Sequence, residues 1–446
     1  MVSIKSTTLC SHLLVLCLQG LLLLYFPFTL HGQVTRTPGS APVDWSQLNK
    51  YQYCISRETF ERRVNELYSR DGEFWKYAKI TDNLLTLYRD SEQTIPVWTL
   101  YFTQPDEESL PQPRWSPTLA TEELPLRGLV VCLDPGHIGG EWARTEQRWF
   151  KIRDDPPIIE WDLNIITARH IEQLLTELGA KVVWTKTQPV PLTTERPDTL
   201  RPIAFLSLWH QHSESTHKRN TDLFRTTHLK DLNQLLTAES ERIFYRLFEI
   251  SARAEVVRQL RPDITLAIHF NAAPWTDPEN ANLVTTNHLV IFIHGSYTAD
   301  ELKLEDHRFH LVRKVLENTS AIELGVAEEI ARQYARIWPQ WRPANYGAPP
   351  WAMPLMESPY IYARNLLANR IYVGPVVFVE GPLMNAADSY PRLLAGDYEG
   401  KKLINGKWYR SIFREFAEAV AEGVKEYYIR GAFLDPPLPS LIDNPP

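Results

Sequence analysis

Cysteine is scarce in this chain, with four in 446 residues. Cys10 and Cys17 fall in an apolar leader, which leaves Cys54 and Cys132 and at most one bridge. Cys132 sits inside a run that reads as a buried strand, so the pair reads as two unpaired thiols and a disulfide scaffold is excluded. An excess of positive charge is also missing. The chain has 47 basic and 54 acidic residues, a formal net charge of −7, and the two signs are interspersed with no polybasic tail. That balance gives no reason to expect nucleic acid as a partner. No internal repeat is present, which excludes a solenoid. What remains is a chain that is 44% hydrophobic, long enough for one large domain with an accessory.

The leader differs from everything after it. Lys5 is its only early charge, and "HLLVLCLQGLLLLYFPFTL" follows before the chain turns polar. Residues 1–32 are read as a signal peptide or an N-terminal anchor. Leu30, His31 and Gly32 make a poor small-x-small cleavage site, and roughly 19 apolar-leaning positions approach a bilayer span. The bulky Leu16 before Cys17 argues against a lipid-modified cysteine. Either way the expectation is an exported protein of the periplasm or cell envelope, released or held at the inner membrane.

Residues 33–43 form a polar, proline-containing linker. Residues 44–103 then read as a small α+β module: a helix with Phe60, Val64, Leu67 and Tyr68 on one face and Ser56 as its N-cap, then strands in "LLTLYRD" and "IPVWTLYF". Its Trp45, Tyr51, Tyr53 and Trp98 suit an aromatic core or a sugar-stacking surface. A proline- and acid-rich linker covers 104–127, and a proline-rich tail covers 432–446. Between them, 128–431 alternates strands with helices. "EWDLNIITARHIEQLLTELGAKVVWTKT" gives a helix with Leu163, Ile166, Ile171, Leu174, Leu175 and Leu178 at helical spacing, a stop at Gly179 and a strand from 181. Strands are expected in "ITLAIHFNA", "NHLVIFIHG" and "GPVVFVEG", and helices in "ESERIFYRLFEISARAEVVRQL", "AIELGVAEEIARQYARI" and "SIFREFAEAVAEGVKEYYIRG". This order predicts an α/β fold, a mainly parallel twisted sheet flanked by helices in three layers, preceded by the small α+β module. The stretch around 187–240, rich in His, Thr and Arg, reads as an insertion on that plan.

Three strand ends carry polar residues that packing would not select. "VVCLDPGHIGG" places His137 on a glycine-framed turn after a buried strand, His269 interrupts "ITLAIHFNA", and Glu380 ends "GPVVFVEG". In a parallel sheet such ends gather at one edge, where α/β folds keep their sites. Glu160, opening the helix after the first loop, faces that same edge. Two imidazoles and a carboxylate are the ligand set of a catalytic zinc, and a further carboxylate beside them is the proton acceptor such a site needs. Each residue taken singly also has a bland reading. A strand histidine is commonly structural, and an acid at a helix start complements the helix dipole. A carboxylate after four apolar residues is costly to bury, which makes Glu380 the hardest to dismiss.

"LDPGHIGG", "EWDLN" opening a helix, "SARAEVVRQLRPDITLAIHFNA" and "VVFVEGPLMN" together resemble, in order and in strand–helix context, the zinc-dependent N-acetylmuramoyl-L-alanine amidases of the cell-wall autolysin type. The resemblance covers roughly residues 128–430. It implies one Zn2+ per chain held by His137, Glu160 and His269, with Glu380 as catalytic base. It also implies peptidoglycan as substrate, cut between the lactyl group of N-acetylmuramic acid and L-alanine. Asn271 and Asn385, on loops after the third and fourth blocks, are candidates to orient substrate, with a plain turn role as the alternative. Arg253 is expected as a structural ion-pair partner. The chain departs from the family at Ile138, where glycine is usual, and at Lys186, where arginine is usual. Glu141 and Glu146 compete with Glu160 as the third ligand, but only Glu160 is followed by x-Asp-Leu-Asn and an amphipathic helix.

Other readings stay open from sequence. A zinc peptidase or carboxypeptidase acting on stem peptides would use similar ligands, and a non-catalytic wall-binding protein would keep the fold while losing a ligand or the base. A thiol hydrolase built on Cys132 lacks an activating neighbour. Protein partners are not indicated.

Overall fold

A period of two divides each strand's side chains between the two faces of a sheet, and the central sheet of this protein is built on that division. The computed structural model describes residues 36–112, 114–213, 229–347, 349–356 and 358–433. The leader and nearly all of the proline-rich tail lie outside them. No helix among the described residues is long and apolar enough to cross a membrane.

The N-terminal module holds helix α1 (Arg57–Arg63) and an antiparallel sheet of β1 (Ala78–Ile80), β2 (Leu84–Tyr88) and β3 (Pro96–Tyr101). Ser56 caps α1 as expected, its hydroxyl accepting from the Thr59 N–H at 3.1 Å. β1 is an addition to the two strands read from sequence. Trp45, Tyr51 and Trp98 are buried, while Tyr53 is exposed, so three of the four aromatics serve as core.

The main sheet contains β4 (Val130–Pro135), β5 (Lys181–Trp184), β6 (Ile264–Phe270), β7 (His288–His294), β8 (Ile361–Arg364) and β9 (Val376–Gly381). Their order is β8-β7-β9-β6-β4-β5, with the short strand Met353–Pro354 outside β8 and Arg342–Pro343 beside β7. The sheet is mostly parallel. Its exceptions are β7, antiparallel to β9, and Met353–Pro354, antiparallel to β8.

Helices α2 (Glu160–Glu177), α3 (Arg201–Ser213), α4 (Leu229–Ile243), α5 (Glu249–Leu260), α6 (Glu305–Leu316), α7 (Thr319–Ile337) and α8 (Ile412–Phe433) complete the fold. One face of the sheet, with Val131, Leu133, Leu266, Ile268, Ile291, Val377 and Val379, packs under α2, α7 and α8. The opposite face carries Cys132 and Val376 against Val257 of α5 and Tyr372. Helix, sheet and helix make the three expected layers. α2 follows its predicted stripe and ends before Gly179, whose φ of 91° is the left-handed stop that lets the chain turn into β5.

The segment read as an insertion forms a hairpin of α3 and α4, and α4 runs through a π-turn (Phe244–Phe248) into α5. Its apolar side, Leu200, Ala204, Ile243 and Phe244, closes on Ile138. The module's core likewise continues into the larger part. Trp45, Phe60, Trp98 and Leu100 share one cluster with Phe309, Leu311, Val312 and Val315 of α6, and the Trp45 indole donates to Glu305 at 2.9 Å.

Candidate active site

β4 delivers the chain to a turn at Asp134–Ile138 that almost every neighbouring element holds. His137 has φ of 69°, a left-handed conformation that costs a non-glycine residue on the order of 1 kcal/mol or more and persists only when the surroundings over-determine it. They do so here. Arg253 of α5 donates to Asp134 at 2.8 Å, to the Pro135 carbonyl at 2.8 Å and to the His137 carbonyl at 2.5 Å, while its Nε meets Glu249 at 3.1 Å. Asp134 accepts further bonds from Thr185 and Tyr372. Asn164 holds the Gly136 carbonyl at 3.2 Å. Glu146 accepts from the Ile138 N–H at 2.7 Å, and Lys186 donates to the Ile138 carbonyl at 3.2 Å. Arg253 is therefore the structural ion-pair partner expected from sequence, and it acts directly on the turn.

The turn, the start of α2 and the end of β6 converge. Glu160 Oε1 lies 3.0 Å from His137 Nε2 and 3.0 Å from His269 Nδ1. One ligand atom from each of the three lies within 4.8 Å of the others, the one such group of His, Cys, Asp or Glu among the described residues. Gly136 makes this approach possible, since a Cβ there would sit 2.1 Å from the His269 ring. Glu380 is the register partner of His269 on the adjacent parallel strand β9, and its Oε2 is buried with no hydrogen-bond partner.

The electrostatics follow from burial and crowding. Burial opposes the charged form of Glu160, yet His137 and His269 overcome it and hold its carboxyl well below the usual range. Burial also opposes the charge on His137, and Glu160 with Glu146 raises its pKa nonetheless. His269, stacked on Phe378 with ring centroids 4.1 Å apart, is pushed by burial down to about 4. Glu380 is pushed up to about 8, by burial first and by the neighbouring Glu160 second.

The sequence-derived residues distribute as follows. His137, Glu160, His269 and Glu380 all line one cavity of about 650 Å³, and Asn271 lines it too. Asn385 is fully buried, its amide spent on both backbone groups of Ala273 at 2.9 and 3.0 Å. Glu141 is exposed. Glu146 stands behind His137, 3.7 Å from Nδ1. Cys132 is buried and its thiol pKa is raised by burial and by Asp134. Sequence reasoning passes over Arg148, 4.0 Å from Glu160 Oε2, and the rim formed by Tyr346, Trp351 and Arg364.

The donor set suits a zinc ion: two imidazole nitrogens and one carboxylate oxygen aimed at one point, with the carboxylate strongly held as the anion. The unpartnered Oε2 of Glu380 beside it completes a hydrolytic arrangement.

No family model matches the chain. Among curated proteins, the probable cell wall amidase LytH of Staphylococcus aureus is 27% identical over 103 residues, 23% of this chain and 33% of that protein. The proteins it resembles are named as cell wall amidases. The chain thus spans about a third of the length of the curated relatives it matches. Similar solved structures include the N-acetylmuramyl-L-alanine amidase Ami1 of Mycobacterium smegmatis, at 13% identity and a TM-score of 0.38, covering 68% of this chain and 98% of that one. The CwlD amidase of Clostridioides difficile, solved in complex with the GerS lipoprotein, follows at 12% identity and a TM-score of 0.36, covering 67% and 98%. AmiC2, the N-acetylmuramoyl-L-alanine amidase of Nostoc punctiforme, has 15% identity and a TM-score of 0.33, covering 67% and 96%.

Proposed function

We propose that this protein is a zinc-dependent N-acetylmuramoyl-L-alanine amidase, hydrolysing the amide between the lactyl group of N-acetylmuramic acid and L-alanine of the stem peptide. The observation that carries the reading is the meeting of His137, Glu160 and His269 beside Glu380, whose Oε2 is buried and unpartnered. Zinc held by these three side chains would supply Lewis-acid polarisation of the amide carbonyl and acidify an attacking water. Glu380 accepts the proton of that water at Oε2 and returns it to the departing alanine nitrogen. Its raised pKa suits both steps, because a carboxyl that holds a proton near neutrality also gives it up readily. Glu146 and Arg253 keep the His137 turn in place through the cycle. Asn271, on the cavity wall, contacts substrate, whereas Asn385 keeps the loop at Ala273 in shape.

The substrate places the protein outside the cytoplasm, in the cell envelope, and the leader of residues 1–32 is the export signal. The test is metal content and muropeptide release on wild type beside Glu380→Ala. One zinc per chain in both, with free lactyl ends and intact stem peptides from wild type alone, is the expected result. Cleavage inside the stem peptides would replace the reading with a zinc peptidase, and zinc-free protein would replace it with wall binding.

A further inference from the structure

The sheet face that carries His269 and Glu380 also carries Phe378, Phe292 and Arg364, because alternate residues of β7, β8 and β9 fill the core on the other side. Arg364 ends β8, and its guanidinium lies 4.6 Å from the Trp351 ring centre and 5.3 Å from that of Phe292. It lines the same cavity as Glu380. Of the other arginines there, Arg370 has no ion pair among the described residues and donates to Asn365 at 2.9 Å, and three have acidic neighbours. Arg253 is neutralised by Asp134 and Glu249, Arg242 by Glu239, and Arg148 lies beside Glu160. Arg364 forms no ion pair with any described carboxylate. Arg246, on the π-turn that follows α4, lines the same cavity, also without an ion pair, and its charge opposes that of Arg364. Burial holds the Arg364 guanidinium below its usual pKa, and Tyr346, Glu380 and Glu301 offset this only in part.

A half-buried guanidinium without a direct ion pair is costly to keep. The contact with Trp351 restrains the guanidinium, whose planar fork matches a carboxylate bidentately. Glu380 and Glu301 act on it through space, but neither forms an ion pair with it, so a directly paired charge comes with the ligand. We propose that Arg364, assisted by Arg246, binds a free carboxylate on the stem-peptide residue that follows the alanine, and so selects acidic stems over amidated ones. This rests on the amidase reading for the identity of the ligand. It also gives the inserted hairpin a role at the site, since the hairpin leads directly into the turn bearing Arg246.

The test uses zinc-loaded full-length protein carrying Glu380→Gln, so that muropeptide binds without turnover. Two muropeptides differ only in whether that residue bears a carboxylate or a carboxamide, and calorimetry measures both. The expected result is about tenfold tighter binding of the free acid, collapsing to about twofold when Arg364→Met is added. Equal binding of the two, no binding of either, or a preference that survives Arg364→Met would each overturn the proposal. If the methionine variant unfolds, Arg364→Lys serves, keeping the charge but not the fork; an unchanged preference there counts against the site. Product analysis of wild type separates the two readings. A carboxylate preference without release of lactyl ends would retire the amidase and leave the carboxylate site standing.

Discussion

His269 and Glu380 are register partners on adjacent parallel strands and share one face of the sheet, so the proposed third ligand and the proposed acid–base group are set by the same strand pairing. A slip of one residue would turn Glu380 into the opposite core. With the geometry fixed by backbone bonding, side-chain exchange at Glu380 should change chemistry without changing structure. Glu380→Gln is expected to lower lactyl-amide hydrolysis by about 10²–10⁴-fold. Zinc content is expected to stay at one per chain and thermal stability to stay level or rise, since a buried unpaired carboxyl is removed. A fall in zinc content alongside activity would show Glu380 to be a ligand instead.

Arg253 holds Asp134 and the Pro135 and His137 carbonyls from beneath the turn. Arg253→Met leaves the buried Asp134 and Glu249 facing a neutral side chain, and breaking such a pair costs about 3–5 kcal/mol. Denaturant unfolding should show that loss, and zinc titration should show weaker binding, because the strained His137 backbone loses its restraint. Unaltered zinc affinity in a destabilised variant would confine Arg253 to folding.

Ile138 is the apolar contact between the His137 turn and the inserted segment. Its side chain is fully buried against Leu200, Ala204, Ile243 and Phe244 of the inserted hairpin. Ile138→Ala is expected to cost about 2–4 kcal/mol through the cavity it leaves. Limited proteolysis should then cut the 201–243 segment before the rest of the chain. Equal protection of the segment in both proteins would show that Ile138 does not anchor it.

His294 and His307 are buried and His310 is largely so; burial first, then nearby cations (Lys314, Arg370 and Arg313 at His294, Arg370 and Arg308 at His307, Arg313 and Arg370 at His310), holds each imidazole well below the usual pKa of 6.5. Below about pH 6.5 the unfolded chain takes up protons at these sites that the folded chain refuses, so stability falls as pH falls. Above that pH the three contribute no slope. Melting temperature measured from pH 7.5 to 4.5 should decline on the acid side, and His310→Gln should flatten the decline. A profile identical to wild type would assign the acid sensitivity elsewhere.

The legible parts of the site are those where polarity breaks an apolar run. His137, His269 and Glu380 stand out because their strands are mostly buried and such strands spare few positions for charge. The antiparallel setting of β7 is not readable, since "HLVIFIH" is equally apolar in either direction. Helix α6 escapes for the opposite reason. Its Glu305, Asp306, His307 and Arg308 are all buried, so the charge pattern that should mark a solvent face marks an interior contact. Glu146 reads from sequence only as a rival ligand, because a carboxylate that braces a backbone N–H from eight residues away has no spacing signature. Arg364 carries no sequence signal at all, since its isolation depends on which strand lies beside which. Both retained cysteines are free, as scarcity and the buried position of Cys132 imply.

The core shared between the N-terminal module and α6 sets an order of events during synthesis. Trp45 and its partner Glu305 are 260 residues apart, and the ribosome delivers the first long before the second. Until α6 emerges, the apolar faces of Phe60, Trp98 and Leu100 have nothing from the larger domain to cover them. Closure over so long a loop is slow and leaves hydrophobic surface open in the meantime. The module is thus made first and finished late, and a nascent chain would remain unfinished until most of it had been made.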